Sequence, residues 1–441
     1  MTTTKMTMIR RASLAALVLV ACSPEKILDV QDPDIIDPKN ANSPSGAIAL
    51  HAGAIGEFSL AIVGDNGNNE GQILVGGLMT DEYVHSGTFP TRLEYEQRKA
   101  LEDNGTLTGI FRNLQRARWL SEEAVGRLRA YAPTPASRVA EMFALAGFSY
   151  IFAAETYCSG VPFSDPDGTP PLGIPLTTTE IFDTAIARFD SSLAVTADSS
   201  ASIRNLARVG RARALLNKGD FAGAAAAVAG VPDAFVYNTT HSTTTGRQQN
   251  GVHVFNWLSE RWSVADTQGI NGLNFRSAND PRVVSTRDAA GAGVGFDAAT
   301  PQWNLQKYPT RTTSLPIASG LEARLIQAEA LLASNPGGWL AALNTIRATM
   351  ITPALPALAD PGTQVAREDL HFRERAFWLF ATGHRLGDLR RLVRQYNRTE
   401  DGVFPTGLHF KGGLYGDDMN LPVPFSERNN PNFTGCIDRG A

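Results

Sequence analysis

The sequence of 441 residues predicts a mainly α-helical fold, in which tetratricopeptide-like helical pairs are joined by long irregular loops with minor β structure. Apolar residues recur at helical spacing in several stretches before residue 230, and small residues occupy the positions where neighbouring helices would touch. This periodicity stops between 231 and 313. The 40 glycines and 25 prolines are many for a purely helical protein, which indicates long connections between the helices.

The composition is that of an ordinary globular protein. Apolar residues make up 43% of the chain and charged residues 19%, enough to bury a sizeable core. The formal net charge of −4 argues against nucleic acid as a partner, because neutralising phosphates requires a basic surface.

The N-terminus has the pattern of a lipoprotein signal peptide at 1–21. Arg10 and Arg11 precede an apolar stretch that is too short to span a bilayer, and a Leu-Val-Ala-Cys lipobox ends at Cys22. Cys22 would become the lipidated N-terminus, and the proline-rich segment 22–45 would be the tether of an anchored globule. The alternative is an ordinary secretory signal with a chance cysteine. No other apolar run is expected to span a membrane.

The remaining chain, 46–441, divides by pattern into three parts. Residues 46–230 contain the helical repeats, 231–313 form an irregular region expected to carry the ligand face, and 314–441 hold C-terminal helices with a loop-rich tail. Helices are predicted at 46–60, 107–130, 137–157, 179–193, 203–217, 317–332 and 339–350.

A further helix pair is predicted at 371–392. Gly383 interrupts the helical pattern, and Asp388 has Arg385 and Arg391 three residues away on either side as ion-pair partners. The pair is expected at the rim of a large core, where it would serve the fold and not the chemistry.

One loop of the first half, 79–92, gathers polar groups. It contains Asp81, Glu82, Tyr83 and His85, the nearest approach to a polar pocket in that half. One histidine beside two adjacent acids lacks the spacing of metal ligands, so no metal is predicted.

Cys158 and Cys436 are the cysteines that remain besides Cys22. An exported protein can form disulfides, and an even pair favours one that would fasten the tail to the helical body. Two free buried thiols are the alternative.

Motifs of catalysis and of cofactor binding are absent from the sequence. No HExxH, GxSxG, phosphate-binding loop or GxGxxG stands between a strand and a helix. The 44 acidic residues include many pairs, but the sequence does not show which face each other across a substrate. We therefore predict neither an enzyme nor a cofactor.

Several short motifs in a shared order resemble the SusD/RagB family of outer-membrane nutrient-binding lipoproteins over nearly all of the mature chain. Beyond the lipobox, they are Ile-Leu-Asp-Val at 27–30, Asn-Asp-Pro-Arg-Val at 279–283, Ala-Arg-Leu-Ile-Gln-Ala-Glu-Ala at 323–330, Arg-Glu-Arg at 373–375, Gly-Asp-Leu-Arg at 387–390, Leu-Pro-Val-Pro at 421–424 and Asn-Asn-Pro at 429–431. The resemblance implies a helical body whose loops and short strands build the binding face.

The resemblance also implies a function. Such proteins are lipid-anchored at the outer membrane, where they cover a SusC-type TonB-dependent barrel and pass it a captured oligosaccharide or peptide. Aromatic rings stack on sugar faces, and polar side chains bind the hydroxyls. The candidate ligand-binding residues here are Tyr83, Trp257, Trp262 and Trp303. A periplasmic tetratricopeptide-like adaptor for protein partners is the runner-up, and a polysaccharide-acting enzyme comes third.

Overall fold

The structure, a computed structural model, describes residues 42–67, 69–165, 171–195, 200–287 and 293–441. The predicted signal peptide, Cys22 and nearly all of the tether lie outside the described residues. The division of 46–441 into three parts at 230 and 313 stays a prediction. One hydrophobic cluster contains residues from all three of these parts.

Helices dominate the N-terminal half, where those predicted from apolar periodicity are present. The helices of this half are α1 (Pro44–Val63), α2 (Gln72–Met79), α3 (Pro90–Glu96), α4 (Gly105–Tyr131), α5 (Ser137–Thr156), α6 (Thr178–Val195), α7 (Ala201–Asn217) and α8 (Phe221–Ala227). Of these, α2 and α3 were not predicted, and α3 begins within the loop expected at 79–92. Polar side chains begin several of them: Asn104, Ser200 and Asp220 each accept a hydrogen bond from a backbone N–H in the first turn of the following helix.

Close contact between α5, α6 and α7 depends on two glycines. The ring of Phe189 on α6 fits between Gly147 on α5 and Gly210 on α7. A Cβ atom would lie 2.7 Å from the ring's Cζ at Gly147 and 2.3 Å at Gly210. The small residues predicted at the helix contacts therefore make room for one aromatic side chain.

The C-terminal helices are α9 (Gly320–Leu331), α10 (Pro336–Thr349), α11 (Gln364–Trp378) and α12 (Arg385–Tyr396). The predicted helix pair at 371–392 is formed by α11 and α12, and Gly383 between them has a φ of +75°. The pair is buried and does not lie at a rim. One predicted ion pair is wrong, because Arg385 binds Asp81 of the distant loop at 2.6 Å while Arg375 binds Asp388 at 2.8 Å.

Short strands join segments that are far apart in the chain. Within the described residues they form two-stranded antiparallel ribbons. The pairs are β1 (Tyr83–His85) with β5 (Trp262–Val264), β2 (Val161–Pro162) with β3 (Pro175–Leu176), β4 (Val236–Thr239) with β8 (Leu315–Ser319), and β6 (Ser285–Arg287) with β7 (Trp303–Leu305). The helix predicted at 317–332 therefore begins only at Gly320, because pairing with β4 keeps the preceding residues extended.

A disulfide bond attaches the C-terminal tail to the helical body. Cys158 and Cys436 form it with an S–S distance of 2.06 Å, so the tail is attached to the end of α5.

Two helices, α1 and α5, are long and apolar enough to cross a membrane by length and composition. The sequence analysis had expected no such segment after the signal peptide. Both pack within the helical body, and α5 is almost wholly buried.

Candidate functional site

Two of the four predicted ligand-binding aromatics are core residues. Tyr83 and Trp262 are both 0% exposed. Tyr83 packs against Phe380, with ring centroids 5.7 Å apart, and Trp262 packs edge-on against Phe255 at 4.8 Å. Neither ring can stack on a sugar, so these two assignments are corrected. The ribbon of β1 and β5 places both rings inside, and no local pattern distinguishes that placement from exposure.

The other two, Trp257 and Trp303, are half-buried. The indole Nε1 of Trp257 donates a hydrogen bond of 2.9 Å to the carbonyl of Leu305. The backbone of Trp303 is bound to the β5 strand, since its N–H donates to the hydroxyl of Ser263 at 2.9 Å. The structure thus brings three of the predicted tryptophans together around β5 and β7, and ligand contact by Trp257 and Trp303 stays a prediction.

Two phenylalanines that were not among the predicted ligand-binding residues form an exposed aromatic surface. Phe89 is 47% exposed and Phe296 is 54% exposed. The guanidinium carbon of Arg261 lies 5.0 Å from the ring centroid of Phe89 and 4.0 Å from that of Phe296. We call Phe89, Arg261 and Phe296 the aromatic platform.

Backbone hydrogen bonds hold the three segments of the platform together. The N–H of Ser86 donates to the carbonyl of Arg261 at 3.0 Å, and the N–H of Phe296 donates to that of Glu260 at 2.9 Å. Gly295 permits this approach, because a Cβ atom there would lie 2.3 Å from the Cβ of Ser86. Main-chain hydrogen bonds therefore fix the relative positions of the three segments that carry the platform side chains.

Polar groups surround the platform. His85 is 1% exposed, and neither of its ring nitrogens has a hydrogen-bond partner in the described part of the chain. Burial, together with the charges of Lys411 and Arg92, lowers the pKa of His85 to about 3, so the ring is neutral at ordinary pH. Lys411 forms an ion pair of 2.7 Å with Asp297 beside it. Arg261 is half-buried, and its Nη1 has no hydrogen-bond partner in the described part of the chain.

This arrangement has the groups needed to bind a ligand. Two exposed rings can stack on an apolar face, and an unpaired guanidinium can donate to hydroxyl or carboxylate oxygens. Within the described ranges no group of three or more histidine, cysteine or acidic side chains could hold a metal ion.

The platform residues lie in two stretches that the sequence analysis singled out, but the sequence analysis selected none of the three. Phe89 lies in the polar loop at 79–92, while Arg261 and Phe296 lie in the irregular region. The signal that could have found Phe89 was its position directly before Pro90, at the exposed start of a helix. Nothing in the sequence joins it to Phe296, which is more than 200 residues away.

Two of the motifs behind the family resemblance, at 279–283 and 373–375, are joined by ion pairs and contribute no residue to the platform. Within the motif at 279–283, Asp280 binds Arg282 at 2.6 Å, and Arg282 in turn binds Glu374 of the Arg-Glu-Arg motif at 2.7 Å. Glu374 also binds Arg347 at 2.7 Å. These largely buried charges fix the irregular region to α10 and α11.

No family model matches the sequence, and no curated protein sequence does either. Solved structures do match. A SusD superfamily protein from Bacteroides fragilis has 14% identity and a TM-score of 0.66, with 89% of this chain and 99% of that chain covered. The surface glycan-binding protein A from Bacteroides thetaiotaomicron, in complex with laminarihexaose, has 13% identity and a TM-score of 0.66 over the same shares. A SusD-like carbohydrate binding protein from Bacteroides vulgatus has 14% identity and a TM-score of 0.65, with 89% and 98% covered. At such identities the similarity establishes the fold.

Proposed function

We propose that this chain, which has the fold of the SusD superfamily, captures an oligosaccharide at the aromatic platform and releases it chemically unchanged. The observation that carries the proposal is the pair of exposed rings, Phe89 and Phe296, with the unpaired guanidinium of Arg261 against both. A sugar ring offers an apolar face for such rings and hydroxyls for such a donor.

The names of the similar structures support the same ligand class. One of them was determined with laminarihexaose, and another is described as a laminarin binding SusD-like protein. We infer a glycan ligand for this chain from the platform together with these names. We further propose that the half-buried Trp257 and Trp303, which lie around β5 and β7 and outside the platform, also contact a ligand.

We propose that the captured ligand is delivered to a SusC-type TonB-dependent barrel, the partner that the family resemblance implies. The lipobox at Cys22 supports a lipid anchor, and the family resemblance implies that this anchor lies in the outer membrane with the protein facing outside. Labelling of cells with an acyl-chain analogue, followed by membrane fractionation, tests the anchor. A Cys22→Ala variant should lose the label and leave the membrane fraction.

A glycan array screen, followed by calorimetric titration of the glycan that binds, tests capture at the platform. Phe89→Ala or Phe296→Ala should each weaken binding about 10- to 100-fold, which corresponds to burial of one large apolar side chain at about 1.5–3 kcal/mol. Mass spectrometry of the recovered glycan should show an unchanged mass, whereas a shortened product would indicate an enzyme.

Phe425 provides a matched control. It is an exposed phenylalanine, at 58%, and its ring also faces an arginine, with the guanidinium carbon of Arg428 at 5.5 Å. Phe425→Ala should leave glycan binding unchanged. If no glycan binds, or if Phe425→Ala weakens binding as much as Phe89→Ala does, glycan capture at the platform is contradicted.

A further inference from the structure

A second surface of the irregular region forms a groove of about 560 Å³. Trp303 lines it together with Asp266, Arg276, Ser277, Asn279 and Ser285. We call it the Trp303 groove. Its volume is within the range of small-ligand sites, about 300–1,000 Å³. None of its lining residues belongs to the aromatic platform.

Arg276 is the cation of this groove. Its guanidinium carbon lies 4.5 Å from the ring centroid of Trp303, so the indole holds the guanidinium in place. Its Nε is buried and has no hydrogen-bond partner in the described part of the chain. Arg287 lies nearby, because it pairs with Trp303 across β6 and β7. Arg276 is half-buried, and its guanidinium forms no hydrogen bond or ion pair with the described residues, so its solvent-facing donors are available to an acceptor from a ligand.

The acidic side chains of the groove are already engaged. Asp266 Oδ1 accepts hydrogen bonds from the backbone N–H groups of Arg276 and Ser277, both at 3.0 Å, and from the hydroxyl of Ser277 at 3.1 Å. Asp280 is bound by Arg282 at 2.8 and 2.6 Å. These carboxylates hold the loop in place. Asp266 attracts the guanidinium of Arg276 electrostatically but forms no direct ion pair with it, so the donors of Arg276 remain open to an incoming anion.

We propose that the Trp303 groove binds a carboxylate-bearing saccharide, such as a uronic acid unit, with the carboxylate on Arg276 and the sugar ring against Trp303. An arginine presents a planar fork of donors that matches a carboxylate. The indole provides a stacking face, and Ser277, Asn279 and Ser285 place hydroxyl and amide groups in the lining for sugar hydroxyls. This combination favours an acidic sugar over an acidic peptide. The inference rests on the proposed function only in that the ligand is a saccharide.

Calorimetric titration of the purified protein with trigalacturonate and with neutral galactotriose tests the groove. The wild type should bind trigalacturonate more tightly than the neutral trisaccharide. Arg276→Gln should weaken trigalacturonate binding about tenfold or more while leaving galactotriose unaffected, since only the charged hydrogen bonds are lost. Trp303→Ala should weaken both. Raising NaCl from about 50 to 500 mM should weaken only the acidic ligand.

The controls separate this site from the platform. Arg112→Gln removes an exposed arginine on α4 and should change neither affinity. Phe89→Ala and Phe296→Ala should leave trigalacturonate binding as in the wild type, so failure of one site does not imply failure of the other. Equal binding of the two trisaccharides, no binding of trigalacturonate at millimolar concentration, or an unchanged affinity in Arg276→Gln would each overturn the proposal. Tighter binding of a tri-aspartate peptide, lost in Arg276→Gln, would overturn the saccharide class.

Discussion

Glu82→Gln should change how the stability of this protein depends on pH. Glu82 is 1% exposed, and its carboxyl accepts a hydrogen bond of 2.8 Å from the N–H of Ala381, in the connection between α11 and α12. Burial raises the pKa of Glu82 from 4.5 to about 8. The charge of Asp81 raises this pKa further, while the hydrogen bond from Ala381 and the charges of Arg385 and Lys307 lower it. The folded protein therefore keeps the Glu82 carboxyl protonated at neutral pH.

The pH dependence of stability follows from the difference in proton binding at Glu82 between the folded and unfolded states. Between pH 4.5 and 8 the folded state holds a proton at Glu82 that the unfolded state has lost, so the contribution of Glu82 to the free energy of unfolding falls as pH rises. The slope is about 1.4 kcal/mol per pH unit. The contribution is fully present below the unfolded pKa and is lost as pH rises through the folded pKa. Glutamine is neutral at every pH, so the variant lacks this slope.

Urea unfolding of the wild type and of Glu82→Gln, followed by circular dichroism at pH 5, 6.5, 8 and 9, measures the difference. The wild type should lose stability relative to the variant by several kcal/mol from pH 5 to 8, and the difference should level off above that. Glu102→Gln, which removes a half-exposed carboxylate paired with Arg428, is the control and should keep the wild-type profile. Parallel profiles for the wild type and Glu82→Gln would refute the reasoning.

Two further substitutions test, by urea unfolding, how much a buried ion pair and a close helix contact stabilise the fold. Asp81→Asn removes the charge from a buried carboxylate that binds Arg385 at 2.6 and 2.8 Å, and should cost about 3–5 kcal/mol at pH 7; a cost below 1 kcal/mol would show that the pair is dispensable. Gly210→Ala would press a methyl group on Phe189 and should cost about 1–3 kcal/mol. Gly126→Ala on α4, with nothing within 4 Å of the added Cβ, should instead stabilise by up to about 1 kcal/mol, and equal effects of the two glycine variants would contradict the packing argument.

The sequence by itself determined the helical body. Apolar periodicity is a local property, so α4, α5, α6 and α7 begin and end within two residues of their predicted limits. The end of periodicity at 231 likewise marked the region that carries most of the candidate binding residues. The even cysteine pair pointed to the disulfide that the structure contains.

Only the tertiary structure decided which side chains are available to a ligand. Trp262 and Phe296 both lie in the irregular region, yet pairing of β5 with β1 buries Trp262 while Phe296 stays 54% exposed. The platform requires Phe89 to meet residues more than 170 positions further along, and Arg385 finds Asp81 about 300 positions away. Such contacts depend on which distant segments pack together. A local sequence pattern does not predict them, because burial and strand pairing are properties of the folded chain.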